Sequence, residues 1–354
     1  MTTPRENLLR TLRRQGFETV PVDNNSFCPS QVEAFKARFG HTDIAGWFGN
    51  PCRGVGVAMQ KTYTDAKALF PRETLPADIS FNEWGIGHSR QPNCHHMTHM
   101  HHPLAGDAPL AEIQNHPFPV ITADAEERLR TQVAEIRAKG LATMAGMACT
   151  VWETAWYLRS MEDLMADMMT EDERATVLLD RVTESACARI RVAARAGCDL
   201  VQLGDDIGMQ HTIMMSMEMW RTWLKPRLAK VIAAGREAKP DLLIFYHSCG
   251  YVLPFISELA DIGVDILNPV QPECMDFAEV HRLYGDRLSF WSTIGTQQTL
   301  PFGTPAEVRA AVERNLRICG AKGGIVIGPT HMVEPEVPWA NLVAMKEAAA
   351  DFRL

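Results

Sequence analysis

The chain has 354 residues, of which 46% are hydrophobic, enough for a large core in one α/β barrel or in two smaller domains. Its net charge of −8 and pI near 5.9, with no polybasic block, exclude nucleic acid as the main partner. No apolar run reaches the roughly 18 residues of a membrane span, and the basic N-terminus MTTPRENLLRTLRRQG lacks the apolar segment of a secretory signal. Nine cysteines, an odd number without regular spacing, read as reduced and mostly buried thiols of a cytoplasmic protein.

In chain order, residues 5–16 predict a short helix, VPVDNN a strand ending in polar residues, and residues 30–40 a second helix. The stretch 50–120 is rich in Gly, Pro, His and aromatics and has weak periodicity. Within it, DISFNEWGIGHSR reads as a hairpin or loop, followed by CHHMTHMHHPLAG. From residue 124 a rhythm sets in: helix 124–139, strand LATMAGMAC, helices 160–169 and 171–196, strand LVQLGDD, helix 216–238, strand LLIFYHSCG and helix 252–261. Strand VDILNPVQPE, a helix over 276–284, strand LSFWSTIG, helix 304–319, strand GIVIGPTH and a helix over 338–350 complete it. Apolar strands that do not alternate, separated by helices, predict a parallel sheet buried on both faces. The number of units fits a closed (β/α)8 barrel. An open doubly wound sheet competes, but neither GxGxxG nor a P-loop is present, and GVGVAMQK is not followed by a helix pattern.

A parallel barrel carries its active site at the C-terminal strand ends. Those ends read Asp23–Asn25, Glu153, Asp205–Asp206, His247–Cys249, Asn268–Gln271, Thr293–Gln297 and Thr330–His331. On an extended segment His247 and Cys249, two apart, point to the same side. Nitrogen and thiolate ligands suit zinc, whose catalytic sites use three protein ligands and keep a position open. The pair alone favours a hydrogen-bonded core histidine beside a buried thiol, and only a third ligand makes it a site. His331, directly after the last apolar strand, is the first candidate for that ligand, and Cys274 in QPECMD the second. Cys319, before that strand, belongs to the opposite face. Of Asp205 and Asp206, which alternate in direction, one is expected to face the pocket in a catalytic role, the competing role being a helix cap. His95, His99 and His102, in the run HHMTHMHH, are read as substrate-binding with Asn268 and Gln271; a His-rich tract is by itself only a compositional hint of metal binding. Methionines in MQHTIMMSMEMW read as core or pocket wall.

Taken together, QLGDDIGMQ, MSMEMWRTWLKPRLAKVI, FYHSCG, GVDILNPVQPE, YGDRLSFWSTIGTQQTLPFGTPAEV and GGIVIGPTHMVEPEVPWANLVAM resemble the uroporphyrinogen decarboxylase superfamily, and within it the branch of corrinoid-dependent methyltransferases. The early TLRRQGFETVPVD and HHPLAG fit as well. The resemblance implies one (β/α)8 barrel over 1–354, with 50–120 inserted as a lid. It implies two chemistries. The decarboxylases carry an arginine-rich N-terminal loop, M-R-Q-A-G-R, for substrate carboxylates; the matching region here, SFCPSQVEAF, has no arginine pair. The methyltransferases hold zinc by H-x-C and a distant cysteine; His247 and Cys249 match the first two, and His331 stands where the cysteine would be. The expected activity is therefore zinc-dependent methyl transfer between a small ether or thiol substrate and a corrinoid carried by a partner protein, since no D-x-H-x-x-G corrinoid motif is present in the chain. The alternative is a cofactor-free carboxy-lyase acting on a smaller acid. A homodimer is the expected assembly.

Overall fold

The computed structural model describes residues 2–24, 26–91, 94 and 98–354. Among these, seven parallel strands form one curled sheet in chain order: Cys52–Val55, Ala142–Gly146, Leu200–Gly204, Leu243–His247, Ile266–Asn268, Ser289–Trp291 and Ile325–Val326. The eighth place is taken only by a parallel bridge, Val22 to Ile327. There the Asp23 N–H donates to the Ile327 carbonyl (2.8 Å), and the Ile327 N–H to that of Pro21 (3.0 Å). Between this segment and Cys52–Val55 the link runs through side chains, with Asn50 Nδ2 donating to Asp23 Oδ1 (2.7 Å) and to Asn24. The expected closed barrel is thus a curled, open parallel sheet, preceded by an N-terminal extension.

The helices follow the predicted rhythm closely: Ala125–Ala138, Met161–Met169, Glu173–Arg195, Pro305–Cys319 and Trp339–Asp351. Three features depart from it. The first sheet strand, Cys52–Val55, lies inside the stretch read as insertion. A helix, Trp152–Arg159, stands where only a strand end was expected. The helix read over 216–238 is broken into Met217–Met219, a wide turn over Trp220–Leu224, and Lys225–Ala238. Among the described residues no helix is long and apolar enough to cross a membrane.

The period of two within each strand sorts the core into two layers. Leu243 and Phe245 point inward with Cys52, Ala142, Leu200, Ile266, Trp291 and Val326, while Ile244 and Tyr246 pack outward against the helices. The same parity turns His247 inward. Helix Pro4–Leu12 plugs the N-terminal end of the sheet. Thr3 and Glu6 form its capping box with Pro4 at the first turn, and Leu8, Leu9 and Leu12 join the inner layer. Each buried leucine contributes on the order of 2 kcal/mol. Asp199, at the foot of the strand Leu200–Gly204, ties this plug down. Its carboxylate accepts Arg5 Nη2 at 2.7 Å, Arg5 Nε at 3.1 Å and the Thr143 N–H at 3.0 Å, and Arg137 reaches it at 3.2 Å.

The segment between the first two sheet strands forms a small antiparallel sheet, Ser80–Phe81, Gly87–Arg90 and Thr98–His101, in agreement with the hairpin reading of DISFNEWGIGHSR. It is anchored from both sides. Arg181 on the long helix donates to the carbonyls of Ile113 and His116 and stacks 4.1 Å over Phe118, which meets Trp84 edge-on. His116 is buried and bonds the Trp84 carbonyl through Nε2 (2.8 Å), so Nε2 carries the proton. Burial pushes His116 down to about 4.

Two outcomes follow for stability. Asp199→Ala, by stranding Arg5 and the Thr143 N–H, should cost about 3 kcal/mol in urea denaturation, whereas Arg137→Ala, which removes an exposed partner and leaves Asp199 its bonds to Arg5 and Thr143, should cost under about 1 kcal/mol. For His116 the folded pKa lies below that of the unfolded chain, so the unfolded state binds more protons between the two values. Its contribution is fully present above pH 6.5 and is lost as pH falls toward 4, by about 3 kcal/mol in all. His116→Gln should flatten the pH slope of stability in that window; an unchanged slope would show that other groups set it.

Candidate functional site

Gly204, His247 and Asn268 stand side by side across three neighbouring strands. Gly204 is required there: a Cβ would lie 2.6 Å from the His247 carbonyl oxygen and 2.8 Å from its Cβ. Beyond the strand ends the backbone loops interlock. Tyr251 donates its N–H to the Met209 carbonyl (2.7 Å), and Ile207 donates its N–H to Ser248 Oγ (3.0 Å).

Asn268 fixes the tautomer of His247. Its Nδ2 donates to the Trp291 carbonyl (2.8 Å), which leaves Oδ1 facing His247 Nδ1 at 2.6 Å. Nδ1 therefore carries the proton, and Nε2 presents its lone pair to the site. That lone pair accepts the Cys249 S–H (3.5 Å), and Asp206 Oδ1 lies 3.7 Å away. Asp206 is held by the Cys249 N–H (2.7 Å) and donates its own N–H to Glu153 Oε2 (3.2 Å). One ligand atom each from Asp206, His247 and Cys249 lies within 4.8 Å of the others. Bonds of about 2.0–2.3 Å around a tetrahedral zinc imply ligand separations of roughly 3.3–3.8 Å. The two distances at Nε2 match that range, so a nitrogen, a sulfur and an oxygen donor fit one metal ion.

Asp205 and Asp206 divide as their alternation predicts. Asp205 is 4% exposed and accepts the N–H groups of Val151 (3.1 Å) and Glu153 (2.9 Å), capping the helix Trp152–Arg159 from another strand. Burial and the nearby Glu153 push its carboxyl up to about 8, against those N–H bonds. Of the two aspartates expected as catalytic, Asp205 is the helix cap, and Asp206, held by the Cys249 N–H, presents its carboxylate beside His247.

The expected third ligand, His331, is displaced from the compact group, where Asp206 takes its place. Its ring lies 6.4 Å from that of His247, centre to centre. His331 still shares a mouth cavity of about 340 Å³ with Cys249, Gln271 and Met209. Gln271 accepts the Gly250 N–H (3.2 Å). Cys274, the second candidate, lies outside the group, and Cys319 is buried at the end of helix Pro305–Cys319. Of the histidine run, three members are described. His95 lies outside the described residues. His99 is exposed on Thr98–His101, and His102 Nδ1 reaches the Tyr157 carbonyl (2.8 Å). His101 is locked between Ser89 Oγ (2.9 Å) and Glu73 (2.5 Å).

Three contributors escaped sequence reasoning: Cys149, Tyr157 and Arg189. The Cys149 thiol donates to Tyr157 Oη (3.5 Å), which donates to Glu153 Oε1 (2.8 Å), so the chain of contacts reaches Asp206. Glu153 and Tyr157 are four apart on one helix face, a signal available in WETAWYLR. Arg189 stands on the buried stripe Val182, Ala186, Ile190, Ala193, where a charge is itself a signal.

A model of the uroporphyrinogen decarboxylase (URO-D) family matches residues 108–352. Uroporphyrinogen decarboxylase of Pseudomonas fluorescens is 24% identical over 247 residues, 68% of this chain and 67% of that protein. That of Chlorobium limicola is 24% identical over 185 residues, so the match spans about half of each chain, 51% and 50%. That of Saccharophagus degradans is 23% identical over an alignment covering 98% of both. Among solved structures, a methyltransferase from Methanosarcina mazei superposes with a TM-score of 0.69 at 19% identity, covering 99% of this chain and 98% of that one, a likeness of fold. With more than two thirds of its length inside the family model, and every sheet strand but the first within that match, the chain belongs to the uroporphyrinogen decarboxylase family.

Proposed function

We propose that this protein is a carboxy-lyase acting on a small carboxylic acid, with Asp206 and His247 as its acid–base pair. The observation that carries the reading is His247, oriented by Asn268, with Nε2 at 3.7 Å from the Asp206 carboxylate, where a protonated ring would be held as an ion pair. Family membership and the printed names of the curated relatives support the reaction class. Loss of CO2 without a cofactor needs an electron sink, and a protonated electron-rich ring is one. A proton is added to the ring; the bond to the carboxylate carbon breaks, its electron pair neutralises the cation, and CO2 leaves. Reprotonation of that carbon and release of the first proton give the product. Asp206 stabilises the cation, and His247, oriented by Asn268, handles the proton. The adjoining mouth cavity of about 340 Å³, which Cys249 and Gln271 line, has the size for a small substrate.

A second reading is favoured by the spacing of Asp206, His247 and Cys249. These residues would hold zinc, which supplies Lewis acidity and a soft-ligand site suited to methyl transfer with a corrinoid partner. Burial and the Asp206 carboxylate push the Cys249 thiol up, so a metal must displace its proton.

Activity is sought as CO2 release from small aryl- and heteroaryl-acetic acids. Asp206→Asn should lower kcat by about 10²–10³-fold, while Cys249→Ser stays within a few fold of the parent. One zinc per chain by elemental analysis, lost with all activity in Cys249→Ala, would instead establish the metal reading. Gly204→Ala, by driving a methyl into the His247 backbone, should abolish activity under either reading while circular dichroism stays native.

A further inference from the structure

Beside the site lies a second cavity, of about 350 Å³, between the end of strand Ala142–Gly146 and the inserted small sheet. One part of its wall is apolar, formed by Met59, Trp84, Ile86 and Met147; the rest is polar, and Arg189 lines it from the long helix. Arg189 is 7% exposed, yet its Nε and Nη2 have no hydrogen-bond partner. Its guanidinium lies 5.7 Å from the centre of the Trp84 ring, a contact that steadies its plane without using its donors. Buried guanidinium N–H groups are ordinarily paired, and two adjacent donors in a fixed plane match the two oxygens of a carboxylate. Glu83, the acidic side chain of the lining, is exposed at the rim and forms no ion pair with Arg189. Cys149 and Tyr157, also in the lining, connect the cavity through Glu153 to Asp206.

We propose that this cavity is a carboxylate subsite, in which Arg189 takes a non-reacting acid group of the substrate while the apolar wall takes the body that bears it. The inference rests on the carboxy-lyase reading for its catalytic meaning. A guanidinium holding the departing carboxylate would stabilise charge that disappears in the transition state and would slow the reaction. The group on Arg189 is therefore a spectator, and the substrate carries at least two carboxylates. Desolvation lowers Arg189 from its ordinary value, and the nearby Glu83 works against that shift.

Benzoate is the probe, with benzamide as its neutral counterpart, titrated calorimetrically into the intact protein. The parent protein should bind benzoate saturably and benzamide at least tenfold more weakly. Arg189→Met should lose benzoate binding by about tenfold or more, Arg189→Lys should retain part of it as a point charge, and Glu83→Gln should tighten it by removing a like charge. Asp206→Asn should bind benzoate as the parent does, which separates failure of this subsite from failure of the lyase chemistry. Equal binding of benzoate and benzamide, no saturable benzoate binding by the parent, or full affinity in Arg189→Met would overturn the proposal. If Arg189→Met does not fold, full benzoate affinity in a folded Arg189→Lys protein together with no tightening in Glu83→Gln would do so.

Discussion

The buried carboxyl of Asp205 is the contact on which the site depends. It sits one residue past the strand Leu200–Gly204 and accepts the first N–H groups of the helix Trp152–Arg159, while Tyr246 Oη donates to its backbone carbonyl (3.2 Å). Three neighbouring strand ends are thereby joined. A helix N-terminus offers donors and a partial positive charge, so an acidic group from another element is a good cap. Because Asp205 turns into the protein, Asp206 turns the other way, toward His247 and Cys249. The capped helix then places Glu153 where it receives the Asp206 N–H, and Tyr157 one turn further on.

Much of the sheet was legible because its signals are local. From residue 124 each strand is a short apolar run and each helix has a buried stripe, and both periods survive in the structure. The first strand hid because CRGV holds an arginine and a glycine, and its pairing partner Ala142–Gly146 is about ninety residues away. The closed barrel was over-read for a related reason: VPVDNN has strand composition, but apart from one bridge to the last strand its contacts are made by side chains. Cross-strand partners of this kind leave no periodic trace.

The site divides along the same line. His247, Cys249, Asn268 and Gln271 were visible as polar groups at strand ends, and parity in a strand set their direction. The third member of the compact group was not, since Asp206 and His331 are equally plausible by position, and only the loop contact from the Cys249 N–H brings Asp206 in. The histidine run carries no direction in its composition; of its described members, His101 bonds Glu73 and Ser89 and His102 the Tyr157 carbonyl.

The geometry around His247 bears on why one family can contain different chemistries. With Nδ1 committed to Asn268, a lone pair, a carboxylate and a sulfur converge on one point. With the thiol neutral, its S–H donates to the His247 lone pair, and a cation arriving at this point would meet all three groups. A proton does so while the thiol stays neutral, and a metal only after ionising Cys249. In the proposed lyase the cation at this point is exchangeable, passing between His247 and substrate. In a metal enzyme it would be fixed, and the substrate would come to it. The difference therefore lies less in the three ligating groups than in what surrounds them: burial pushes Asp205 up to about 8 and raises Glu153 as well, while the cavity at Arg189 places a positive charge further along. That distribution suits a substrate that is itself an anion becoming transiently cationic at one end, held at the other by a guanidinium that takes no part in the bond changes.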